Sequence, residues 1–285
     1  MVLMKNLFPA SLTGSAKNIT GGSSAPDFRR IYAIGDIHGR LDLFRKLIAD
    51  VAIDNRLRDP MVTGIVLLGD VIDRGPQSAQ LLRACRELAR MTDRFIMLKG
   101  NHEAMMVTAL RHDFSFLAPW LRYGGRETLH SFGMTDAEID DPEPFDLAAD
   151  ARRRIGEDLL DWVDSLPVTL RAMYYLFVHA GIRPGTPLKE QEEDDLLWIR
   201  NEFLNSEEDF GGLVVVHGHT VFEGKPGITD HRIGIDTGAY YTGQLTAVGL
   251  EQGEGWIFST TDPDQPRGQA DNYDPVAELA QTGES

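Results

Sequence analysis

The stretch Gly35-Asp36-Ile37-His38-Gly39 decides how the rest of this chain is interpreted. It follows a short apolar run, Ile31-Tyr32-Ala33-Ile34, that is typical of a buried strand, and a helical pattern begins near Leu41. The flanking glycines allow a sharp turn, so the acid and the imidazole can face one point at the carboxyl end of the strand, where ligands gather on open α/β sheets. A capping Asp beside a surface His gives the same short pattern, so the downstream sequence has to decide between the two interpretations.

Four more strand-like runs end in side chains of the same kinds. They are Gly64–Leu68 before Asp70, Phe95–Leu98 before Asn101, Tyr174–Val178 before His179, and Leu213–Val216 before His217 and His219. Carboxylate, amide and imidazole ligands together suit borderline divalent metals such as Mn, Fe, Co or Zn. Two such ions held about 4 Å apart need a shared carboxylate, and Asp70, the middle acid, is the natural bridge. The sequence therefore predicts that these side chains bind divalent metal, with Asp70 between two ions if there are two.

The chain is predicted to form one catalytic domain over residues 29–260. Residues 1–28 are rich in Ser, Gly, Ala and Asn and are interpreted as a mobile leader, and residues 261–285 as a loose acidic tail. Between residues 30 and 102, strands alternate with helices, which is typical of βαβ units. The short strands after residue 168 predict a more antiparallel second sheet. The predicted fold class is α/β (α+β), with two sheets face to face and helices outside them.

A helical insertion is predicted over residues 103–165. Within it, the acidic, proline-broken segment 136–150 is expected to be an exposed loop, and a helix is expected over 151–165. The acidic runs 136–150 and 190–195 could line the approach to the site or be solvated loops, and the second interpretation is favoured.

The composition and net charge of the chain exclude some classes of binding partner. The chain of 285 residues is 42% hydrophobic and 25% charged, as in ordinary globular proteins. Its net charge of −16 disfavours nucleic acid as a partner, because such a surface repels polyanions. No apolar run approaches the ~20 residues of a membrane helix and no signal-peptide core is present, so a cytoplasmic protein without membrane partners is expected. The single cysteine, Cys85, excludes an intrachain disulfide and falls on the apolar face of a predicted helix.

Five ordered blocks resemble those of the calcineurin-like metallophosphoesterases. More narrowly, they resemble the PPP-type serine/threonine phosphatases of the bacterial and bacteriophage λ branch. The blocks are GDIHG (35–39), GDVIDRG (69–75), GNHE (100–103), HAG (179–181) and HGHT (217–220), within about residues 31–250. The resemblance implies a four-layer α/β/β/α sandwich with a helical insertion and a dinuclear site at one edge.

The resemblance also implies an activity. It is hydrolysis of phosphoserine and phosphothreonine in proteins, with phosphotyrosine as a further candidate, by direct attack of a hydroxide that bridges two metal ions. Manganese is the first expectation, and Fe, Zn or Co are alternatives. A phosphorylated protein or a small phosphoester is the expected substrate, and the oligomeric state is not indicated.

Ligand roles carry over residue by residue. The first metal would be bound by Asp36, His38 and Asp70, and the second by Asp70, Asn101, His179 and His219. Val221 stands where other calcineurin-like families have a further histidine ligand, which agrees with the PPP-type pattern. His217 could be a metal ligand, or it could form a hydrogen bond to a residue that is one. The motif favours the hydrogen bond.

The resemblance assigns the phosphate and proton chemistry to four more residues. Arg74 would grip phosphate oxygens with its planar guanidinium, and Arg200 would be a second clamp, with a surface ion pair as the alternative. His102, as imidazolium, would protonate the leaving oxygen. Asp73 would fix its tautomer and raise its pKa.

Three other functions are weighed against the phosphatase. A dinucleoside polyphosphate hydrolase has a similar bimetal core, but that relative usually lacks the acid at the position of Asp73, and its third block ends in Asp where Glu103 stands here. A binding module without activity would lack a ligand or the His102–Asp73 pair, and both are complete. A nuclease is disfavoured by the net charge of −16.

Overall fold

The computed structural model describes residues 3–4, 27–251 and 253–261, and within them it forms two β-sheets. The strands are β1 (Leu3–Met4), β2 (Arg30–Ile34), β3 (Thr63–Leu67), β4 (Phe95–Met97), β5 (Thr169–Ala172), β6 (Tyr175–Val178), β7 (Val214–His217), β8 (Gly227–Ile228), β9 (Arg232–Gly234), β10 (Thr246–Glu251) and β11 (Glu254–Ser259). The first sheet has the order β1-β11-β10-β2-β3-β4, and the second β5-β6-β7-β9-β8.

Helices cover the outer faces of both sheets. They are α1 (Leu41–Leu57), α2 (Ser78–Met91), α3 (Asn101–Val107), α4 (Leu117–Trp120), α5 (Arg126–Ser131), α6 (Asp136–Asp140), α7 (Pro144–Ile155), α8 (Glu157–Asp164), α9 (Glu193–Trp198), α10 (Asn201–Leu204) and α11 (Ala239–Thr242). Two π-helical turns, Thr108–His112 and Leu121–Gly125, interrupt the insertion between β4 and β5.

Three separate apolar clusters establish the layers. Successive strand side chains point to opposite faces, and β2 is buried on both. Tyr32 and Ile34 pack with the helices of the first outer layer, whereas Ile31 and Ala33 pack with the facing side chains of the second sheet. A third cluster joins the other face of the second sheet to α9 and α10. The predicted four-layer α/β/β/α sandwich with a helical insertion is confirmed.

The boundaries predicted for β2, β3 and β4 hold to within one residue, and these three strands are parallel. The second half of the chain departs from the prediction. The second sheet is mixed, because β6, β7 and β9 are parallel while β5 and β8 add antiparallel edges. Strands β10 and β11 return to the first sheet, where β10 pairs antiparallel with β2.

The acidic segment 136–150 is not the exposed loop that the sequence predicted. Thr135 caps α6 in a capping box with Glu138, and Pro144 stands in the first turn of α7, where a proline suits a helix. Gly156, with φ of 95°, ends α7, so the helix predicted over 151–165 is two helices. Both acidic runs supply ion pairs on the surface, and no residue of either lines the site cavity described below.

The predicted leader and tail lie largely outside the described residues. Leu3–Met4 pairs antiparallel with Gly255–Trp256 of β11, and Phe28 is buried against Gly64. Cys85 is buried in α2, as predicted. Across the described ranges, no helix has the length and apolar character needed to cross a bilayer.

Candidate metal and phosphate site

The carboxyl ends of five strands meet at one edge of the sandwich. Because β2, β3 and β4 are parallel, as are β6 and β7, the loops that follow them leave in the same direction. The structure brings all ten predicted site residues into one connected group, and their roles stay predictions. They are Asp36 and His38 after β2, Asp70, Asp73 and Arg74 after β3, Asn101 and His102 after β4, His179 after β6, His219 after β7, and Arg200 between α9 and α10.

Two groups of buried side chains could each hold a metal ion, and both contain Asp70. His38, Asp70 and His102 place ligand atoms within 4.8 Å of one another, as do Asp70, His179 and His219. Nε2 of His38 lies 3.6 Å from one oxygen of Asp70, and Nε2 of His179 lies 3.4 Å from the other. Burial raises the pKa of Asp70, but the surrounding histidines lower it by more than burial raises it. The pKa of Asp70 is therefore below its usual value. Asp70 thus turns one oxygen toward each group, as a bridging carboxylate requires.

Asp36 lies outside both groups and is paired with an acid that the sequence analysis missed. Both oxygens of Asp36 accept the backbone N–H of His219, at 3.2 and 3.1 Å, and the carboxyl group of Asp236 is close enough to affect the ionisation of Asp36. Burial and the charges of Asp236 and Asp70 raise the pKa of Asp36 well above its usual value. Asp236 follows β9, and a lone acid after a short strand gives no further signal in the sequence.

The buried imidazoles indicate what the site can receive. Nδ1 of His38 donates to the carbonyl of Ile72 at 2.8 Å, and Nδ1 of His179 donates to that of Leu68 at 2.9 Å, so each Nε2 is left as an acceptor that faces the site. Burial lowers the pKa of both imidazoles, which favours their neutral form. Nε2 of His179 then lies 2.8 Å from Oδ1 of Asn101, an acceptor facing an acceptor. A cation would relieve this contact, so the donor set fits a divalent metal.

Glu103 fixes the loop that carries Asp70. Its buried carboxylate accepts hydrogen bonds at 2.9–3.2 Å from the backbone N–H groups of Asp70, Val71, Ile72 and Gly100. Burial and the charge of Asp70 raise the pKa of Glu103 to about 7, against the opposing effect of these donors. The sequence singled out Glu103 as a family marker, and the structure adds a positioning role.

The predicted His102–Asp73 pair is formed. Nδ1 of His102 lies 2.7 Å from Oδ2 of Asp73. The same oxygen accepts from the indole of Trp120 at 3.0 Å, and Oδ1 accepts from Thr128 at 2.6 Å. Burial lowers the pKa of His102, but the charge of Asp70 and the hydrogen bond to Asp73 outweigh it, so the pKa is raised above its usual value. The hydrogen bond to Asp73 and the charge of Asp70 thus favour the protonated form of this imidazole.

The two predicted phosphate clamps border the same cavity. Arg74 places Nη1 2.7 Å from Nε2 of His38 and Nη2 3.0 Å from Nε2 of His102. Arg200 contacts the loop after β7 only at 3.4 Å from the carbonyl of His219 and 3.5 Å from Thr220. The cavity, about 80 Å³, is lined by Asp36, Asp70, Arg74, Asn101, His102, Met105, Tyr123, Trp198, Arg200 and His219. The guanidinium groups of Arg74 and Arg200 therefore line the same cavity as the candidate metal ligands.

His217 is not part of either candidate metal group. Its ring packs against Phe203 and Phe222, with centroids 5.1 and 6.0 Å away. Its Nδ1 faces the carbonyl of Gly218 at 3.1 Å, and its Nε2 has no hydrogen-bond partner. The favoured hydrogen bond from His217 to a metal ligand is absent, because the period of the strand turns this ring into the aromatic core.

Phosphate ester hydrolysis is the chemistry to which this edge is suited, since it combines side chains that could hold divalent metal with two guanidinium groups and a histidine paired with a carboxylate. The fold and site therefore define a metal-dependent phosphoesterase. Comparison with known families agrees: residues 29–248 match the calcineurin-like phosphoesterases, and the chain belongs to that family.

The relatives that resemble this chain are named for different substrates. The chain is 29% identical over 235 residues to "Serine/threonine-protein phosphatase 1" of Salmonella typhimurium, covering 80% of this chain and 94% of the relative. It is 35% identical over 156 residues to a symmetrical bis(5'-nucleosyl)-tetraphosphatase of Chromobacterium violaceum, but this covers 54% of this chain and 44% of that protein. A solved structure titled as a putative diadenosine tetraphosphatase shares the fold, with a TM-score of 0.55, 20% identity and coverage of 83% of this chain and 95% of that one.

Proposed function

We propose that this chain is a serine/threonine protein phosphatase that works with two divalent metal ions. The observation that carries the proposal is the buried His102–Asp73 pair, with a separation of 2.7 Å. A serine or threonine oxygen is a basic leaving group and needs a proton as its bond to phosphorus breaks, whereas a nucleotide phosphate leaves without one. A built proton donor is therefore expected in a monoesterase that releases alcohols. Phosphotyrosine is a further candidate substrate.

The ligands divide between two metals in this proposal. Asp36, His38 and Asp70 would hold the first, and Asp70, Asn101, His179 and His219 would hold the second. When bound, two divalent ions supply Lewis acidity and lower the pKa of coordinated water toward neutrality. Manganese is the first choice and Fe, Zn or Co are alternatives, since the ligand set is of mixed softness.

The protein groups have separate tasks. Arg74 and Arg200 bind the phosphoryl oxygens from the two sides of the cavity that they line. Nη2 of Arg74 lies 3.0 Å from Nε2 of His102, so the clamp and the proton donor are in contact. A phosphate that draws Arg74 onto its own oxygens frees Nε2 of His102 to take a proton from solvent, and His102 then gives this proton to the leaving oxygen as its bond to phosphorus breaks. Asp73 stabilises the imidazolium while the proton is held.

The second candidate is a dinucleoside polyphosphate hydrolase, favoured by the likeness to the tetraphosphatase of Chromobacterium violaceum over about half of the chain. We also propose a cytoplasmic location without membrane partners, and no nucleic-acid partner, since a net charge of −16 repels polyanions.

The test compares two substrates on one preparation. Metal-stripped protein is reloaded with Mn²⁺, and phosphate release is measured from a phosphoserine/phosphothreonine peptide and from diadenosine tetraphosphate. Higher kcat/KM on the peptide supports the phosphatase, and higher kcat/KM on the dinucleotide replaces it with the second candidate.

Metal content gives a readout that is independent of activity. Equilibrium dialysis against Mn²⁺ is expected to load two ions per chain in the unmutated protein. Asp70→Asn should lose both, because both groups contain Asp70. Asn101→Ala should lose one. Asp158→Asn, an exposed acid on α8, is the matched control and should keep two. A single ion in the unmutated protein would contradict the dinuclear site.

A further inference from the structure

A groove leads from the phosphate cavity along the surface of the helical insertion. It has a volume of about 450 Å³ and is lined by Arg74, Leu121, Arg122, Tyr123, Gly124, Arg126, Glu127 and Tyr240. Arg74 and Tyr123 line both the groove and the cavity. A molecule that occupies the groove therefore lies directly beside the phosphoryl group.

The groove is cationic on a protein whose net charge is −16. Arg126 is engaged by Asp136 and Asp140 of α6. Arg122 is exposed and, within the described part of the chain, has no ion-pair or hydrogen-bond partner. The one carboxylate in the lining is Glu127. Arg122 thus presents a free guanidinium next to the site, where an anionic group of the substrate can pair with it.

Two tyrosine rings form the sides of this groove. Tyr123 is 56% exposed and Tyr240 is 38% exposed. The guanidinium of Arg74 lies over the ring of Tyr240, 4.7 Å from its centroid. Exposed aromatic rings beside a binding cavity can cover the aliphatic part of a peptide side chain while its charged end reaches the guanidinium.

The groove wall is fixed relative to the phosphate clamp. Gly124 adopts φ of 118°, and its carbonyl accepts the backbone N–H of Arg74 at 3.1 Å. A Cβ at Gly124 would lie 2.6 Å from the backbone nitrogen of Arg74, so the two segments touch directly. The backbone that carries Arg122 and Tyr123 is therefore held against Arg74, which places both side chains beside the phosphate cavity.

We infer that this groove recognises an acidic side chain close in sequence to the phosphorylated residue, with Arg122 pairing its carboxylate. The inference rests on the proposed phosphatase function. An extended peptide advances about 3.3 Å per residue, so a groove that adjoins the cavity receives a residue one to three positions away from the phosphoserine. The guanidinium of Arg122 would also suit a second phosphate of a dinucleotide. The experiment therefore includes diadenosine tetraphosphate as an alternative substrate.

The experiment uses phosphoserine peptides that differ only in carrying Glu, Gln or Lys at positions one to three on either side of the phosphoserine. At low salt, the unmutated protein is expected to have about fivefold higher kcat/KM on the best Glu peptide than on the peptide with Gln at the same position. This is the effect of one exposed ion pair of about 1 kcal/mol. Arg122→Gln should remove this preference and Arg122→Glu should shift it to the Lys peptide. Raising the salt to 0.5 M should weaken it, since screening shortens the reach of exposed charges.

Two controls separate recognition from catalysis. Arg122→Gln should leave turnover of p-nitrophenyl phosphate unchanged, because Arg122 does not line the phosphate cavity. Arg45→Gln, an exposed arginine on α1 that likewise has no partner among the described residues, should leave the peptide preference unchanged.

Each remaining outcome overturns the inference in a recognisable way. Equal kcat/KM on the Glu, Gln and Lys peptides, or a preference that survives Arg122→Gln, refutes the groove assignment while the phosphatase function stands. No turnover of any peptide, together with cleavage of diadenosine tetraphosphate that Arg122→Gln weakens, refutes both and assigns the groove to a second phosphate.

Discussion

Replacing Asp73 by Asn tests the proton-donor assignment with almost no change in shape. One oxygen of Asp73 accepts from both His102 and Trp120, and the other accepts from Thr128. The amide can keep its oxygen toward Thr128, but its NH₂ group then faces two donors. His102 can switch tautomer and accept from the amide, whereas the buried indole N–H of Trp120 loses its partner. One orphaned buried donor costs about 1–3 kcal/mol of unfolding free energy.

The catalytic loss should depend on the leaving group. Proton donation is worth about 10²–10⁴-fold, or about 3–5 kcal/mol at 1.36 kcal/mol per tenfold. Asp73→Asn should therefore lower kcat on a phosphoserine peptide by at least about a hundredfold more than on p-nitrophenyl phosphate, whose leaving group needs little protonation. The same variant should lower the pKa of His102, which the hydrogen bond to Asp73 raises. A histidine-ring NMR titration of metal-free protein measures this shift.

Asp158→Asn on α8 controls for the loss of one negative charge and should change neither substrate's kcat. An equal loss of kcat on both substrates would mean that Asp73 is structural. Full activity on the peptide, with a lowered pKa of His102, would mean that His102 is not the proton donor.

Three further outcomes follow from contacts outside the reacting groups. Asp54→Ala should lower the unfolding free energy by about 3 kcal/mol in urea titrations, because Trp256 and two other donors lose their acceptor. Gly124→Ala should cost about 1–3 kcal/mol and raise KM, because the left-handed backbone there contacts Arg74; an unchanged KM would contradict this contact. Burial raises the pKa of the Cys85 thiol far above its usual value, so a thiol reagent at pH 8.5 should label it in denaturant and not in the folded protein.

The first sheet could be predicted because its signals are local. The strand around Ile31–Ile34 is buried on both faces, so it reads as a continuous apolar run, and the glycine-rich turns after each strand mark its end. The ten site residues converge for the same reason, since parallel strands place their carboxyl ends together.

What the sequence missed depends on contacts between distant segments. The segment 136–150 is acidic and contains prolines, yet Arg126 and Arg154 neutralise part of its charge and Ile139 and Leu147 bury its apolar side. Asp236 becomes part of the site only because the second sheet brings its loop against Asp36. Both depend on residues that are far apart in the chain, and such contacts leave no periodic pattern in a single sequence.

The backbone explains why this edge needs the rest of the fold. Positive φ angles occur in the described ranges at seven residues other than glycine, and five of them are His38, Asp70, Asp73, Arg74 and His219. Each left-handed residue of this kind costs about 1–3 kcal/mol. The turns persist because other segments hold them: Glu103 binds the N–H groups after β3, and the carboxylate of Asp36 binds the N–H of His219. The same side chains that hold the strained turns thus also aim the ligands, so loosening one of these contacts should disturb metal binding before it unfolds the sandwich.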